Sequence, residues 1–285
     1  MDNMPLVSVG IVTFNHKRFI RECIDSVLAQ DYERMELVIG DDGSTDGTQE
    51  ILREYQAKYP HIITLILSRN NQGLTKNCNL VHRRCSGTYV AWVDGDDVVL
   101  PGKIGMQVDY MESHPECTIS YHNSLIFESD TGKILGYHHN RGSARQGDVK
   151  TMFIYGNFNG GSACMIRKEK APKHGFDERI PTSSDWLYWI ETLANGGEIH
   201  YIDNVLCRYR RHNDNITKRQ AVSSMVWEKA LTVLIATRKY PFLLLCYPPM
   251  AVDILTRVIH NLFHTPRSMV LIKGKSFLRA YRTPE

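Results

Sequence analysis

The chain has 285 residues, enough for one large α/β domain with appendages or for two domains. Apolar residues make up 42% and charged residues 23%, which excludes collagen-like, coiled-coil and wholly disordered classes and allows a sizeable core. Lys plus Arg (34) against Asp plus Glu (31) gives +3, too mild an excess to point to nucleic acid.

In chain order, Leu6 to Phe14 is a nearly continuous apolar run rich in β-branched residues, as in a strand covered on both faces. Phe19, Ile20, Cys23, Ile24, Val27 and Leu28 then recur at helical spacing. Met35 to Ile39 reads as a strand. Ser44 or Thr45 is expected to cap a helix that buries Ile51, Leu52 and Tyr55. Ile62 to Leu67 and Thr88 to Val93 are two further strands, with a helix around Asn77 to Cys85 between them. Strand and helix alternating at this spacing mean βαβ units and a mainly parallel sheet. After Pro101 the rhythm changes. Ile119 to Phe127 and Lys133 to Tyr137, joined through Asp130-Thr131-Gly132, read as a hairpin. Ala163 to Arg167 reads as a strand and Asp185 to Ala194 as a helix. Two short strands are expected at Glu198–Ile202 and Val205–Arg210, and helix from about Lys218 onward, broken at Pro241, Pro248-Pro249 and Pro266.

Seven cysteines, odd in number and never spaced C-x-x-C, argue against a disulfide framework or structural zinc and for a reducing compartment. Met1 to Pro5 lacks a basic segment followed by an apolar one, and no run reaches the ~18 apolar residues of a membrane span. The expectation is a cytoplasmic protein, soluble or held peripherally at the inner face of a membrane.

Ligands of an open parallel sheet bind at the carboxyl ends of its strands. Those ends carry Thr13-Phe14-Asn15, Asp41-Asp42-Gly43-Ser44, Ser68 to Gly73, and Asp94-Gly95-Asp96-Asp97. Converging carboxylates repel unless a cation joins them, and hard oxygen ligands favour Mg²⁺ or Mn²⁺. The plainer alternative for Asp94 to Asp97 is a solvated turn with Asp97 capping a helix. A calcium loop starting at Asp42 fails, because its twelfth position is Arg53. Asp46 fits a helix start better than a ligand.

Four segments stand in order: Val7 to Asn15, Asp41 to Asp46, Asn71-Gln72-Gly73-Leu74, and Asp94-Gly95-Asp96-Asp97. Together they resemble glycosyltransferase family 2, the inverting sugar-nucleotide transferases of the Rossmann-like GT-A fold, over roughly residues 5 to 215. The resemblance implies that Val12 and Phe14 lie against the nucleotide base and that Asp42 accepts a hydrogen bond from it. Asp94 would face the ribose and diphosphate, and Asp96 would bind a bridging Mn²⁺ or Mg²⁺. A uracil offers a ring N–H to a carboxylate and a flat face to an aromatic ring. Core packing is the alternative for Phe14. Asn71 is placed with the donor, and Lys76 and Arg69 are further phosphate candidates.

In the second half, Gly160 to Arg167 and Gly175 to Glu178 resemble family landmarks. Ser183-Ser184-Asp185-Trp186 stands where the family has its catalytic acid pair, with Ser184 in place of the usual glutamate. Asp185 is then the candidate catalytic base, a helix cap being its alternative. Arg210 and His212 fit the family's arginine and histidine, for the diphosphate and the metal respectively. Strand alternation would put both on one face, and a solvated basic strand is the alternative. His138 and His139 read as surface residues.

The expected organisation is a GT-A domain over 1–215, with a nucleotide-binding half (1–100) and an acceptor half (101–215), followed by a helical extension over 216–285. After Pro249 the extension interleaves basic and apolar residues, which suits a helix lying on a membrane. It equally suits a lid or a contact between copies of the chain. The function implied is metal-dependent, inverting transfer of a sugar from a nucleotide-sugar, a UDP-sugar first, to an acceptor hydroxyl on a glycan or lipid-linked acceptor. Two alternatives stand beside it. A sugar-nucleotide nucleotidyltransferase would need a glycine-rich first loop that Thr13 to Lys17 lacks, and a relative that only binds nucleotide or glycan would not need Asp96 and Asp185.

Overall fold

The computed structural model describes residues 4–140, 142–216 and 222–246. The first apolar run forms β1 (Val7–Thr13), buried at every residue. Parallel strands β2 (Met35–Asp41), β3 (Ile63–Leu67) and β4 (Tyr89–Asp94) join it in the order β3-β2-β1-β4. The crossovers are α1 (Ile20–Leu28), α2 (Thr48–Lys58) and α3 (Leu74–Arg84). Alternation explains the unbroken hydrophobicity. Val7, Val9 and Ile11 pack with Ile20, Ile24 and Leu52 on one face. Val90 and Trp92 pack with Val81 and Trp186 on the other. Both faces are covered, so neither set of alternate positions is free to be polar.

Thr13 stands opposite Asp41 and Val12 opposite Asp94. The ends of β1, β2 and β4 are therefore level, and their loops share one edge. The chain's direction of winding reverses between β1 and β4, which makes this edge the natural crevice of the sheet.

The second half adds β5 (Val98–Val99), α4 (Lys103–Ser113), β6 (Cys117–Glu128), β7 (Ile134–Tyr137), α5 (Val149–Tyr155), β8 (Met165–Arg167), α6 (Asp185–Ala194), β9 (Glu198–Arg211) and α7 (Val222–Lys239). The nine-stranded sheet runs β3-β2-β1-β4-β8-β6-β9-β5, with β7 paired to β6. β8 is antiparallel to both β4 and β6, so parallel pairing gives way to a mixed half. The β6–β7 hairpin forms as read.

Three local expectations change, and the plainer alternative for Asp97 falls. Glu198–Ile202 and Val205–Arg210 are one strand, because β6 pairs along both and the register shift absorbs Asp203 and Asn204 as a bulge. Neither Ser44 nor Thr45 caps α2. Asp46 does the capping work, its Oδ1 accepting from the Thr48 N–H at 3.0 Å. Gly161–Ala163 is a short 3-10 turn before β8. Asp97 is followed by β5, not by a helix, and is fully buried.

The described part of the C-terminal region packs on the domain: Leu231, Ala236 and Leu243 share a core with Trp186 and Leu187. Among the described residues no helix is long and apolar enough to cross a membrane. The basic and apolar stretch after Pro249 lies outside the described residues.

Candidate active site

The loops after β1, β2 and β3 are sewn together. Asn15 adopts the left-handed region (φ 54°), which asparagine tolerates, and its Oδ1 accepts from the Thr45 N–H at 2.9 Å. The Asn15 N–H donates to Ser44 Oγ at 2.7 Å. Buried Asp41 accepts from the Ser44 N–H and from Gln49 Nε2, and so shapes this turn. Asp42 accepts from the N–H groups of Gln72 and Gly73, both at 2.8 Å. Gly43 makes that approach possible. It has φ +74°, and a Cβ there would stand 2.5 Å from the Asn70 carbonyl carbon.

Val12 is buried, whereas Phe14 is 38% exposed at the crevice edge, which removes core packing as its explanation. Asn71 turns its Oδ1 back to the Gly73 N–H at 3.1 Å. Lys76, in the first turn of α3, is exposed, as is Arg69.

At the mouth of β4 the three carboxylates have distinct surroundings. Burial, with Asp96 and Asp185 nearby, raises Asp94 to about 7. Burial, with Asp96 and Asp94, also holds Asp97 well above the usual carboxylate range. Asp97 accepts from Ser162 Oγ at 2.6 Å and the Arg210 N–H at 2.9 Å, and so ties β9 and the 3-10 turn to this loop. Burial would raise Asp96 too, but the hydrogen bond and charge of His212 and the charge of His16 outweigh it and lower its pKa. Three carboxylates at one mouth thus avoid three full charges.

His212 Nε2 lies 2.8 Å from Asp96 Oδ2, and Asn215 Nδ2 donates to the same oxygen at 3.1 Å. The Asp214 N–H points at His212 Nδ1 from 3.2 Å, which assigns the neutral ring's proton to Nε2. The residues suit a divalent cation. Two ligands about 2.1 Å from an ion and cis to one another stand about 3.0 Å apart, close to the Asp96–His212 separation.

Arg210 is placed differently from the diphosphate contact expected of it. Its buried guanidinium pairs with Glu22, and its Nε donates to the Asp96 carbonyl at 2.7 Å. Phe19 and Phe127 lie 4.9 and 4.6 Å from its charge. It braces the Asp96 backbone. His139 is buried, contrary to its reading as a surface residue, and carries its ring against Tyr121 and Tyr201.

Across the crevice Asp185 begins α6. Its Oδ1 accepts from the Trp186 N–H at 2.9 Å and its Oδ2 from Asn157 Nδ2. Burial raises its pKa, Asn157 and the Trp186 N–H oppose the rise, and Glu228 adds to it. Sequence reasoning missed His16, Asn157, Ser162, Asn215 and Glu228. His16 directly follows the first motif, and that adjacency is its signal in the sequence. The others come from segments whose proximity only the fold decides.

The sequence matches Glycosyl transferase family 2 over residues 8–175. An uncharacterized protein of Mycobacterium tuberculosis is 31% identical over 215 residues, 74% of this chain and 60% of that protein. The chain therefore spans less than two thirds of that relative. The putative teichuronic acid biosynthesis glycosyltransferase TuaG of Bacillus subtilis is 28% identical over 216 residues, 76% of this chain and 83% of that protein. The crystal structure of GalNAc-T7 with UDP, GalNAc and Mn²⁺ shares the fold, with a TM-score of 0.65 at 14% identity, over 82% of this chain and 48% of that one. The chain belongs to glycosyl transferase family 2.

Proposed function

We propose that this chain transfers a sugar, with inversion, from a UDP-sugar to an acceptor hydroxyl in the building of a glycan or polysaccharide. The observation that carries the reading is the convergence of Asp94, Asp96 and His212 at the mouth of β4, facing Asp185, in a family 2 chain. TuaG, by its name, and GalNAc-T7, by its ligands, support the glycan, the uridine nucleotide and the cation.

Phe14 offers an exposed ring to the base beside Val12, and Asp42 keeps lone pairs beyond those that take Gln72 and Gly73. Asp94 faces the ribose and diphosphate, with Asn71 and Lys76 at the rim. Asp96 and His212 would hold Mn²⁺ or Mg²⁺, which when bound neutralises charge developing on the departing diphosphate. His212 would offer Nε2 to the ion, which would leave the ring's proton on Nδ1 in place of the hydrogen bond from the Asp214 N–H. Asp185 accepts the proton of the acceptor hydroxyl as that oxygen bonds to the anomeric carbon. The bond from that carbon to the phosphate oxygen breaks, and its electron pair leaves with UDP.

Calorimetric titration with UDP tests the reading. The wild type is expected to bind UDP with Mn²⁺ and far more weakly without it, and Asp96→Asn to lose the difference. UDP binding that ignores Mn²⁺ in both proteins would overturn the metal assignment. Asp42→Ala is expected to weaken UDP by about 1–3 kcal/mol, the scale of a hydrogen bond to a charged group. Equal wild-type affinity for UDP and ADP would sink the base contact.

A further inference from the structure

We propose that His16, on the loop after β1, is a third protein ligand of the divalent cation, so that two imidazoles and one carboxylate hold it before any nucleotide arrives. This rests on the reading of Asp96 and His212 as a cation site. Among the described residues, His16, Asp96 and His212 are the one group of three potential ligand side chains whose ligand atoms all lie within 4.8 Å of one another. Ligands about 2.1 Å from an ion stand about 3.0 Å apart when cis and about 4.2 Å apart when trans, so a gap of at most about 1.8 Å separates the set from a shared ion.

The surroundings of His16 favour this role. Its Nδ1 is buried and has no hydrogen-bond partner, a state that a folded protein rarely leaves unexplained. Phe19 holds both rings: its centroid lies 4.8 Å from that of His212 and 6.3 Å from that of His16. The two imidazoles meet edge to face at 6.2 Å. Gly95 completes the fit. A Cβ there would reach 2.8 Å from Thr13 Cβ and 3.1 Å from His16 Nδ1, so only glycine lets the Asp94 to Asp97 loop come this close. The His16 backbone is fixed independently, its carbonyl accepting from the N–H groups of Phe19 and Ile20 at 2.8 and 2.9 Å.

Two nitrogens and one carboxylate make a softer site than carboxylates alone. Imidazole suits first-row transition metals, and Mg²⁺ prefers oxygen. Affinity without nucleotide is therefore expected to rise from Mg²⁺ through Mn²⁺ and Co²⁺ to Ni²⁺.

The test is calorimetric titration of the full chain with each of these ions, without nucleotide and then with UDP. The wild type is expected to bind one Co²⁺ without nucleotide. His16→Ala is expected to weaken it at least about tenfold, the lower bound taken from the loss of a ligand's supporting partner. Its circular dichroism is expected to be unchanged. Equal Co²⁺ affinity of the two proteins would overturn the proposal while leaving UDP-dependent Mn²⁺ binding at Asp96 intact. If neither protein binds Mn²⁺ even with UDP, the underlying cation site fails as well. Pulsed EPR of wild type loaded with substoichiometric Cu²⁺ tests the same point without a variant: two coordinated imidazoles are expected, and one overturns the assignment.

Discussion

Asp185→Asn is expected to lower kcat by about 10²–10⁴, the usual cost of removing a general base, with little change in donor affinity. The substitution keeps the side chain's size, and an amide oxygen still accepts from the Trp186 N–H. What it loses is the ability to take a proton, together with the acceptor that Oδ2 offers to Asn157 Nδ2. Donor affinity is expected to hold because the loops proposed to take the nucleotide follow β1, β2 and β4, while Asp185 enters from α6 on the far side of the crevice. The pH profile provides a second reading. Burial raises the Asp185 pKa, so the wild-type rate is expected to fall, on acidification, at a higher pH than the pKa of an ordinary aspartate. That acid limb is expected to vanish from the residual rate of Asp185→Asn. Near wild-type turnover would hand the base to another residue, Asp177 or Glu178 first. Lost UDP binding would make Asp185 a structural residue.

What the sequence made legible follows the physics of each signal. Strands β1 and β4 could be read because both of their faces are covered, which leaves nearly continuous apolar runs, ending at Thr13 in β1 and at Asp94 in β4. Helix α6 could be read to the residue, since its aromatics and aliphatics sit between the serines at 183–184 and the glycines at 196–197. β9 reads as two strands because Asp203-Asn204 carries turn chemistry, and only pairing with β6 shows that a bulge takes it up. Arg210 could be placed near Asp96 from its spacing to His212. Its orientation depended on Glu22, 188 residues away, for which no local pattern exists. Asp42 shows the same limit. Its residue type marked it as an acceptor, but that two of its lone pairs hold the Gln72–Gly73 backbone is a fact of tertiary contact.

Glu228 is the residue that no motif announced, and its removal is expected to act on Asp185 from behind. It sits on α7, beyond the matched family segment, and is buried. Its carboxylate accepts from the N–H and Oγ of Ser183 at 2.8 and 2.6 Å and from the N–H of Thr182 at 3.3 Å. Thr182 Oγ1 donates to it as well, at 2.7 Å. These two residues lead directly into Ser184 and Asp185, where the family's usual glutamate is absent. Glu228 thus gives the base loop a carboxylate anchor from another helix and places a negative charge that favours the protonated form of Asp185. Glu228→Gln keeps the shape but removes the charge, and turns an amide N–H₂ toward a backbone N–H that cannot accept. Two effects are expected. Losing a neighbouring anion lowers a carboxylate pKa, so the acid limb of the rate profile moves to lower pH. Losing acceptors for buried donors costs about 1–3 kcal/mol, read as a lower denaturation midpoint at unchanged slope. Glu228→Ala is expected to move the limb in the same direction and to cost more stability. A limb that stays in place in both variants would reduce Glu228 to a brace for the loop. A limb that moves without loss of stability would mean that the hydrogen bonds to Thr182 and Ser183 do not hold it.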